Sequence, residues 1–339
     1  MSNTHKRKLL RPNSPSRKRP NVIPHCESFE ELLELKVSAL VEGKQKLLSI
    51  WAEDQAQDVL KELEDRNFIS APVVNPRSGE FLGFVSVLDL AGLALKSEEY
   101  RSTHLCEWYS GPFFTKPVKE AINLTQIENA TPLPLSTPVH KIMDLLSTHH
   151  SMFASHRLAL HDDSETISHI VTQTDILLLV RENLSVLPAA LTGASLSALH
   201  LCHPPISVRA SVPFSSALEV LFDNRVSGVA VVDGTGRLVD SLSASDLRGI
   251  SLQRFDIFSV SVEKALKTLH PTKPPPIIVS DAETFSNVIE KLCSTLVHRV
   301  FIVGEDNQPV GVVSISALIT KILEFVPTGA HQTQAGSPS

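Results

Sequence analysis

A short polar step occurs four times: Ser86-Val-Leu-Asp89, Thr172-Gln-Thr-Asp175, Ser243-Ala-Ser-Asp246 and Ser314-Ile-Ser-Ala317. Ser, Thr and Asp at a helix start cap free backbone N–H groups. The same groups can hold a ligand, because a helix N-terminus with free N–H groups and hydroxyls attracts anions. An Asp there can accept two hydrogen bonds from a ribose diol. Nineteen residues before each step's fourth residue stands a second pair: Ser70-Ala71, His156-Arg157, Ser227-Gly228 and His298-Arg299. Two pairs are basic and two are small. Arg offers a forked donor pair to phosphate. One His-Arg pair at a strand edge is equally well a solvated pair, and one Ser-x-x-Asp is equally well a cap. Their repetition in register favours a ligand. Phosphate on His156, Arg157, His298 and Arg299, with ribose on Asp89, Asp175 and Asp246, describes a nucleotide. Thr172, Thr174, Ser86, Ser243, Ser245, Ser314 and Ser316 would add neutral hydrogen bonds, and Ile206, Ser227 and Gly228 complete the candidate set.

These residues sit in a repeated segment. It reads ISAPVVNPRSGEFLGFVSVLDL, SHRLALHDDSETISHIVTQTDI, VSGVAVVDGTGRLVDSLSASDL and VHRVFIVGEDNQPVGVVSISAL, and the four align without gaps. The last two intervals are 71 residues each and the first is 86. Self-similarity at a fixed period fixes architecture before any single motif does. Each copy has one grammar: a short β segment, a helix, a buried strand, a polar turn, a second strand and a second helix. Helical spacing shows in Ala217, Leu218, Leu221 and Phe222, and the buried strands VAVVD and VFIVG are continuously apolar. The order is β-α-β-β-α, an α/β (α+β) fold class. A unit of this size has too small a core to stand alone, so repeats one and two form one module, and three and four another. The expected boundaries are 1–28 for a disordered basic tail, 29–98 for an N-terminal helix with the first repeat, and 130–187, 200–252 and 272–326 for the others. Residues 327–339 read as a disordered end. The helix over 29–42 opens with Ser28 as N-cap and Glu31 as capping-box partner. The long connections Lys96–Pro134 and Ser251–Pro275 are expected to hold extra helix.

Composition narrows the function. The chain has 339 residues, 42% hydrophobic, with aromatics at 5%. Few aromatics argue against a stacking surface for single strands. Residues 1–20 hold seven basic side chains and no acid, so the net charge of −6 rests on an acidic remainder. That body is a poor general binder of nucleic acid. The tail reads as solubilising or, through Lys6-Arg7-Lys8 and Arg17-Lys18-Arg19, as a nuclear import signal, with Ser14 and Ser16 as weaker phosphorylation candidates. Cys26, Cys106, Cys202 and Cys293 lie too far apart for a disulfide framework or zinc knuckle, and point to a reducing compartment. No apolar run approaches the roughly 18 residues of a membrane helix, and no secretory signal is expected. His200-Leu-Cys202-His203 is a cramped metal set, better read as a polar loop. His149, His150 and His169 read as surface or core histidines. Cys106 lacks a base, and Gly234-Thr-Gly236 is a hairpin turn because strand follows it. No catalytic residue and no metal site is expected.

The repeats resemble cystathionine-β-synthase (CBS) domains. As a set of four they are similar to the gamma subunits of AMP-activated protein kinase and their fungal and plant relatives. HRLAL at 156–160, VSGVAVVD at 226–233, VHRVFIVGED at 297–306 and GVVSIS at 311–316 carry the resemblance, with VRASVPFSSAL at 208–218 and SVSVEKALKTL at 259–269. It covers about residues 45–325. It implies two Bateman modules in a flat disk, with adenine nucleotides (AMP, ADP or ATP) in clefts near the centre and no catalytic cofactor. It also implies kinase catalytic (alpha-type) and scaffold (beta-type) partners, and a cytoplasmic protein, nuclear if the tail is an import signal. Three positions depart from the family pattern. Ile69 stands where a basic residue is frequent, Thr174-Asp175 stands where basic residues are frequent, and Ala317 replaces Asp. Thinner phosphate contacts, a restored second ribose site and a weakened fourth follow, so ligand stoichiometry and AMP-over-ATP preference should differ from the family's. A free-standing CBS protein acting on another partner, and a scaffold with degenerate clefts, are the alternatives; an enzyme fits least.

Overall fold

Each repeat folds for the reason its pattern suggests. In the helix Val139–Leu146 the buried residues are Val139, Ile142, Met143 and Leu146, one stripe at helical spacing. Burying a side chain of this kind contributes roughly 1.5–3 kcal/mol. The middle strands carry three consecutive buried residues in all four repeats, as expected where both faces are covered. A computed structural model describes residues 23–44, 47–96, 115–128, 131–148, 155–250 and 252–326. The basic stretches, Ser14, Ser16, Cys106, His149, His150 and the segment 327–339 lie outside the described residues.

Among the described residues four three-stranded sheets result, one per repeat. They comprise β1 (Ile50–Trp51), β2 (Ser70–Val74) and β3 (Phe81–Ser86); β4 (Leu133–Pro134), β5 (Arg157–His161) and β6 (Ile167–Thr172); β7 (Ser207–Arg209), β8 (Gly228–Val232) and β9 (Leu238–Ser243); and β10 (Ile278–Val279), β11 (Arg299–Val303) and β12 (Pro309–Ser314). In each sheet the short first strand runs parallel to the second, and the second pairs antiparallel with the third. A helix joins the parallel pair, as such a crossover requires.

The repeats close on each other in two ways. Sheets meet sheets within a module: Phe84 packs with Ala159 and Ile167, and Ala230 and Leu238 pack with Phe301. Helices meet helices between modules. The helix Val87–Leu95 of repeat one lies on Phe214–Asp223 of repeat three, and Val139–Leu146 of repeat two lies on Ile315–Leu323 of repeat four. One apolar core therefore spans repeats one and three, and another spans two and four. Modules paired through sheets and joined through helices form a ring in the order one, two, four, three.

Four expectations change. The N-terminal helix is two helices, Phe29–Glu34 and Ser38–Val41. It breaks because Val37 and Ser38 donate their N–H groups to Thr137 and Leu135, tying the strand-like segment between them to repeat two. Ser28 caps as expected, but the Glu31 carboxylate accepts from Glu27 N rather than Ser28 N. In repeat three the polar step opens only a 3-10 turn, Ala244–Leu247, which ends ahead of Gly249 at φ +76°. Finally, the four segments do not align without a gap. Arg157, Gly228 and Arg299 pair with Thr172, Ser243 and Ser314, whereas Ser86 pairs with Ser70. The first hairpin's turn is one residue longer. The true counterparts of His-Arg in repeat one are Ile69-Ser70, not Ser70-Ala71.

Candidate functional site

The polar steps fold as caps. Asp89 Oδ2 accepts from Ser86 N at 2.8 Å and Ser86 Oγ at 2.5 Å. Asp175 Oδ2 accepts from Thr172 N and Oγ1 at 2.7 and 2.8 Å, and Asp246 Oδ2 from Ser243 N and Oγ at 2.7 and 3.0 Å. Each is the reciprocal arrangement that satisfies orphan N–H groups at a helix start. Ser314 Oγ accepts from Ala317 N at 3.3 Å and lies 2.8 Å from Ser316 Oγ, with no carboxylate to close a box.

The second carboxylate oxygen separates the three aspartates. Asp89 is 1% exposed, and its Oδ1 accepts from Thr125 N at 2.8 Å and Thr125 Oγ1 at 2.9 Å. Its two oxygens thus take four donors from the chain itself. Burial pushes its pKa up, against hydrogen bonds from Ser86 and Thr125 that pull it down. Asp89 therefore ties the linker to the helix start, both of its oxygens being taken by donors of the chain itself. Asp246 Oδ1 lies 2.9 Å from Lys273 Nζ and 3.9 Å from His270 Nε2. Lys273 also reaches Asp240 at 3.3 Å and the Ser241 carbonyl at 2.5 Å. Asp175 Oδ2 meets Lys44 Nζ at 2.7 Å, and neighbouring Thr174 Oγ1 lies 3.4 Å from His298 Nε2. His298 thus faces the other module, while the adjacent Arg299 faces its own.

The two basic pairs sit in different surroundings. In the first module a cleft is lined by Ile69, Ser86, Leu88, Thr125, Glu128, His156, Arg157, and by Ser227 and Ala244 of repeat three. Glu128 fills its basic end. Its Oε2 accepts from the backbone N–H groups of His156 (3.0 Å) and Arg157 (3.2 Å) and from Ser155 Oγ (3.1 Å). Its Oε1 lies 2.9 Å from Arg157 Nε and 3.7 Å from His156 Nδ1. The Arg157 contact is an ion pair by distance whose N–H is not aligned on the oxygen. Burial of Glu128 raises its pKa, but Arg157 and His156 outweigh that and hold it at about 2.

In the second module Arg299 Nη2 donates to Ser227 Oγ at 2.7 Å. The guanidinium lies directly over Gly228, where a Cβ would stand 1.1 Å from Nη1. That buried Nη1 finds no acceptor among the described residues. Burial lowers the Arg299 pKa to about 10 against the raising effect of Asp246, so the side chain stays charged at neutral pH. Repeat one has Ile69 for Ser227 and Ser70 for Gly228. It therefore offers neither the hydroxyl nor the space, and Arg157 turns to Glu128 instead.

Sequence reasoning missed Thr125, Glu128, His270 and Lys273, from the connections that follow repeats one and three, and Lys44, from the segment ahead of repeat one. A signal existed in the linkers. Val118 donates to Asp54 O and Lys119 to Ala52 O; Val262 and Glu263 make the same bonds to Val212 O and Ala210 O. Glu128 and Lys273 follow at nearly the same distance from those equivalent valines. Ile206, 36% exposed, contributes its carbonyl to Ala230 N at 2.9 Å and touches neither charged group by hydrogen bond. No group of three or more metal-ligating side chains exists among the described residues.

The CBS-domain family model matches residues 41–96, 198–252 and 261–324. It leaves the second repeat unmatched, although that repeat has the same sheet as the others. A stretch of 280 residues, 79% of the chain, is 24% identical to 5'-AMP-activated protein kinase subunit gamma of Dictyostelium discoideum, over 48% of that protein. A stretch of 120 residues, 35% of the chain, is 28% identical to subunit gamma-3 of Bos taurus, over 24% of it. The chain therefore spans about half or less of the length of these curated relatives. Among solved structures, a Methanocaldococcus jannaschii protein described as a candidate archaeal homologue of g-AMPK has a TM-score of 0.67 at 14% identity, over 84% of this chain and 99% of that one. At that identity the likeness concerns the fold.

Proposed function

The chain belongs to the CBS-domain family, and from that premise we propose that it is a non-catalytic regulatory protein that binds adenine nucleotide. AMP, ADP and ATP would compete for a cleft and, through it, report energy state to a protein kinase of the AMP-activated type. Catalytic alpha-type and scaffold beta-type subunits would be its partners. The similarity to gamma subunits in sequence supports this reading. The observation that carries it is Arg299 in the second module, a buried cation with one N–H group lacking an acceptor, beside Asp246 and Lys273.

The chemistry divides among these groups. Arg299 supplies a planar fork for phosphate and Lys273 a second cation. Asp246, with Ser243 and Ser245 at the helix start, supplies acceptors for a ribose diol. Asp175 with Thr174 and His298 forms a second candidate acceptor site. Nucleotides with different phosphate lengths meet the cations differently, and a difference in affinity between two states of an assembly shifts their populations. Isothermal titration with AMP and with MgATP, beside Asp246→Ala, tests the reading. Saturable heat weakened by the substitution is expected; no heat from a folded sample would reject it.

A second reading has its own observation. Glu128 takes the donors around one basic pair and Ala317 leaves the fourth step without a carboxylate, as expected of a CBS protein that serves mainly as a scaffold or acts on a different partner. Co-purification discriminates the two. Recovery of a kinase catalytic subunit favours the first, and its absence beside another stoichiometric partner favours the second.

A further inference from the structure

The linker after the first repeat is built to deliver Glu128. Its start is tied to the first helix of repeat one by Ala56 N to Lys116 O, Val118 N to Asp54 O and Lys119 N to Ala52 O. Ile122 lies over Gly83, which at φ +135° carries no Cβ; one built there would come 2.6 Å from Ile122 Cγ2. Asn123 and Gln126 adopt left-handed conformations, at φ 45° and 56°, which cost energy unless the surroundings fix them. Here they do. Asn123 N donates to Phe84 O at 2.9 Å. Asn123 brackets the Glu128 backbone, donating from Nδ2 to Glu128 O at 2.8 Å and accepting from Glu128 N at 3.0 Å. Thr125 is held by Asp89. Every fixed point places the Glu128 side chain, 8% exposed, against the two backbone N–H groups, the Ser155 hydroxyl, the imidazole and the guanidinium described above. Two oxygens facing two N–H groups, a hydroxyl and a guanidinium are the arrangement a phosphate would demand.

We propose that Glu128 is a resident anion that occupies the phosphate subsite of the first module, so that this cleft is closed by the chain's own linker while the second module's cleft takes the external ligand. This deepens the nucleotide reading above and rests on it for the identity of that ligand. The second linker starts with the same bonds but continues as the helix Val262–Leu269. It ends by bringing Lys273, not a carboxylate, to its cleft. Among the described residues no acidic side chain pairs with Arg299 within salt-bridge distance. The same connection thus fills one anion site and leaves the other's cation available.

Inorganic phosphate tests this without presuming a nucleotide. It would be titrated calorimetrically into the full chain, Glu128→Gln and the double variant Glu128→Gln/Arg157→Gln. Gln keeps the acceptor for the backbone groups and removes the charge. The expected result is an additional phosphate site in Glu128→Gln, at least about tenfold tighter than any first-module binding in the wild type, and its disappearance in the double variant. Glu128→Asp, which draws the carboxylate back by one methylene, should show a smaller gain of the same kind and serves if Glu128→Gln does not fold. No additional phosphate binding in a folded Glu128 variant overturns the proposal. AMP titrated in parallel separates the two ideas. Phosphate gain without AMP binding to any form removes the nucleotide reading and leaves Glu128 as the resident anion. AMP binding without phosphate gain does the reverse.

Discussion

The two modules have the same strand order and the same Arg at the start of a middle strand, yet Arg157 and Arg299 end in opposite situations. Arg157 faces a carboxylate from its own chain; Arg299 faces a hydroxyl, and among the described residues no carboxylate lies within ion-pair distance of it. Two pairs of residues account for the difference. Across from Arg299 stand Ser227 and Gly228, which give it a partner and a place to lie. At the equivalent positions of repeat one stand Ile69 and Ser70, which give neither. The linkers complete the contrast, one ending in Glu128 and the other in Lys273. An internal ion pair satisfies one module's Arg, and the other module's Arg keeps an Nη1 with no acceptor among the described residues. In a protein built of repeats, the repeated elements set where a site can form, and the connections between them decide whether it stays open.

The contrast breaks most visibly in stability. Glu128→Ala leaves Arg157 and His156 without their counter-charge, and removal of one partner of a buried pair costs about 3–5 kcal/mol. Arg299→Ala should cost only about 1 kcal/mol, the worth of one hydrogen bond. Urea unfolding of the two variants beside the wild type measures both; equal losses would erase the distinction. The same pair sets a pH dependence. Glu128 is lowered from 4.5 to about 2 in the folded chain, so its contribution is fully present above pH 4.5 and is lost as pH falls toward 2. A shift of that size corresponds to about 3 kcal/mol. Unfolding free energy followed down through that window should show the loss in the wild type and lack it in Glu128→Gln.

Smaller changes sharpen the geometry. Gly228→Ser gives the second cleft the first cleft's side chain and must push the Arg299 guanidinium aside. AMP affinity should fall about tenfold, equivalent to 1.4 kcal/mol, with far-UV circular dichroism unchanged. Wild-type affinity in that variant would mean that the position of Arg299 does not matter. Ser227→Ala removes only the hydroxyl that fixes Arg299 and should cost about 1 kcal/mol or less in unfolding free energy.

Much of this was legible in the residues, and the parts that were not have physical reasons. The β-α-β-β-α order followed from apolar periodicity, because that periodicity is what buries each element. The caps were legible because a helix start needs them wherever it occurs. The register of repeat one was not, since a turn longer by one residue leaves no mark in an alignment that also closes without a gap. The contact of Asp89 with the linker was not legible because a capping Asp, a ligand-binding Asp and a linker-holding Asp share one sequence. Only the partner of its second oxygen, Thr125, separates them, and that partner lies 36 residues away. Glu128 and Lys273 escaped for a related reason. They lie in connections whose equivalence shows only in the matching bonds of Val118 and Val262, and their importance comes from where the ring brings them.

We place the proposed nucleotide site at Arg299 of the second module, and calorimetric titration of AMP into the wild type and Arg299→Gln tests this most directly. A saturable site in the wild type, weakened at least about thirtyfold by the substitution as expected for loss of a buried charged partner, is the predicted result. Equal binding by both proteins, or no binding by a folded wild type, would contradict it.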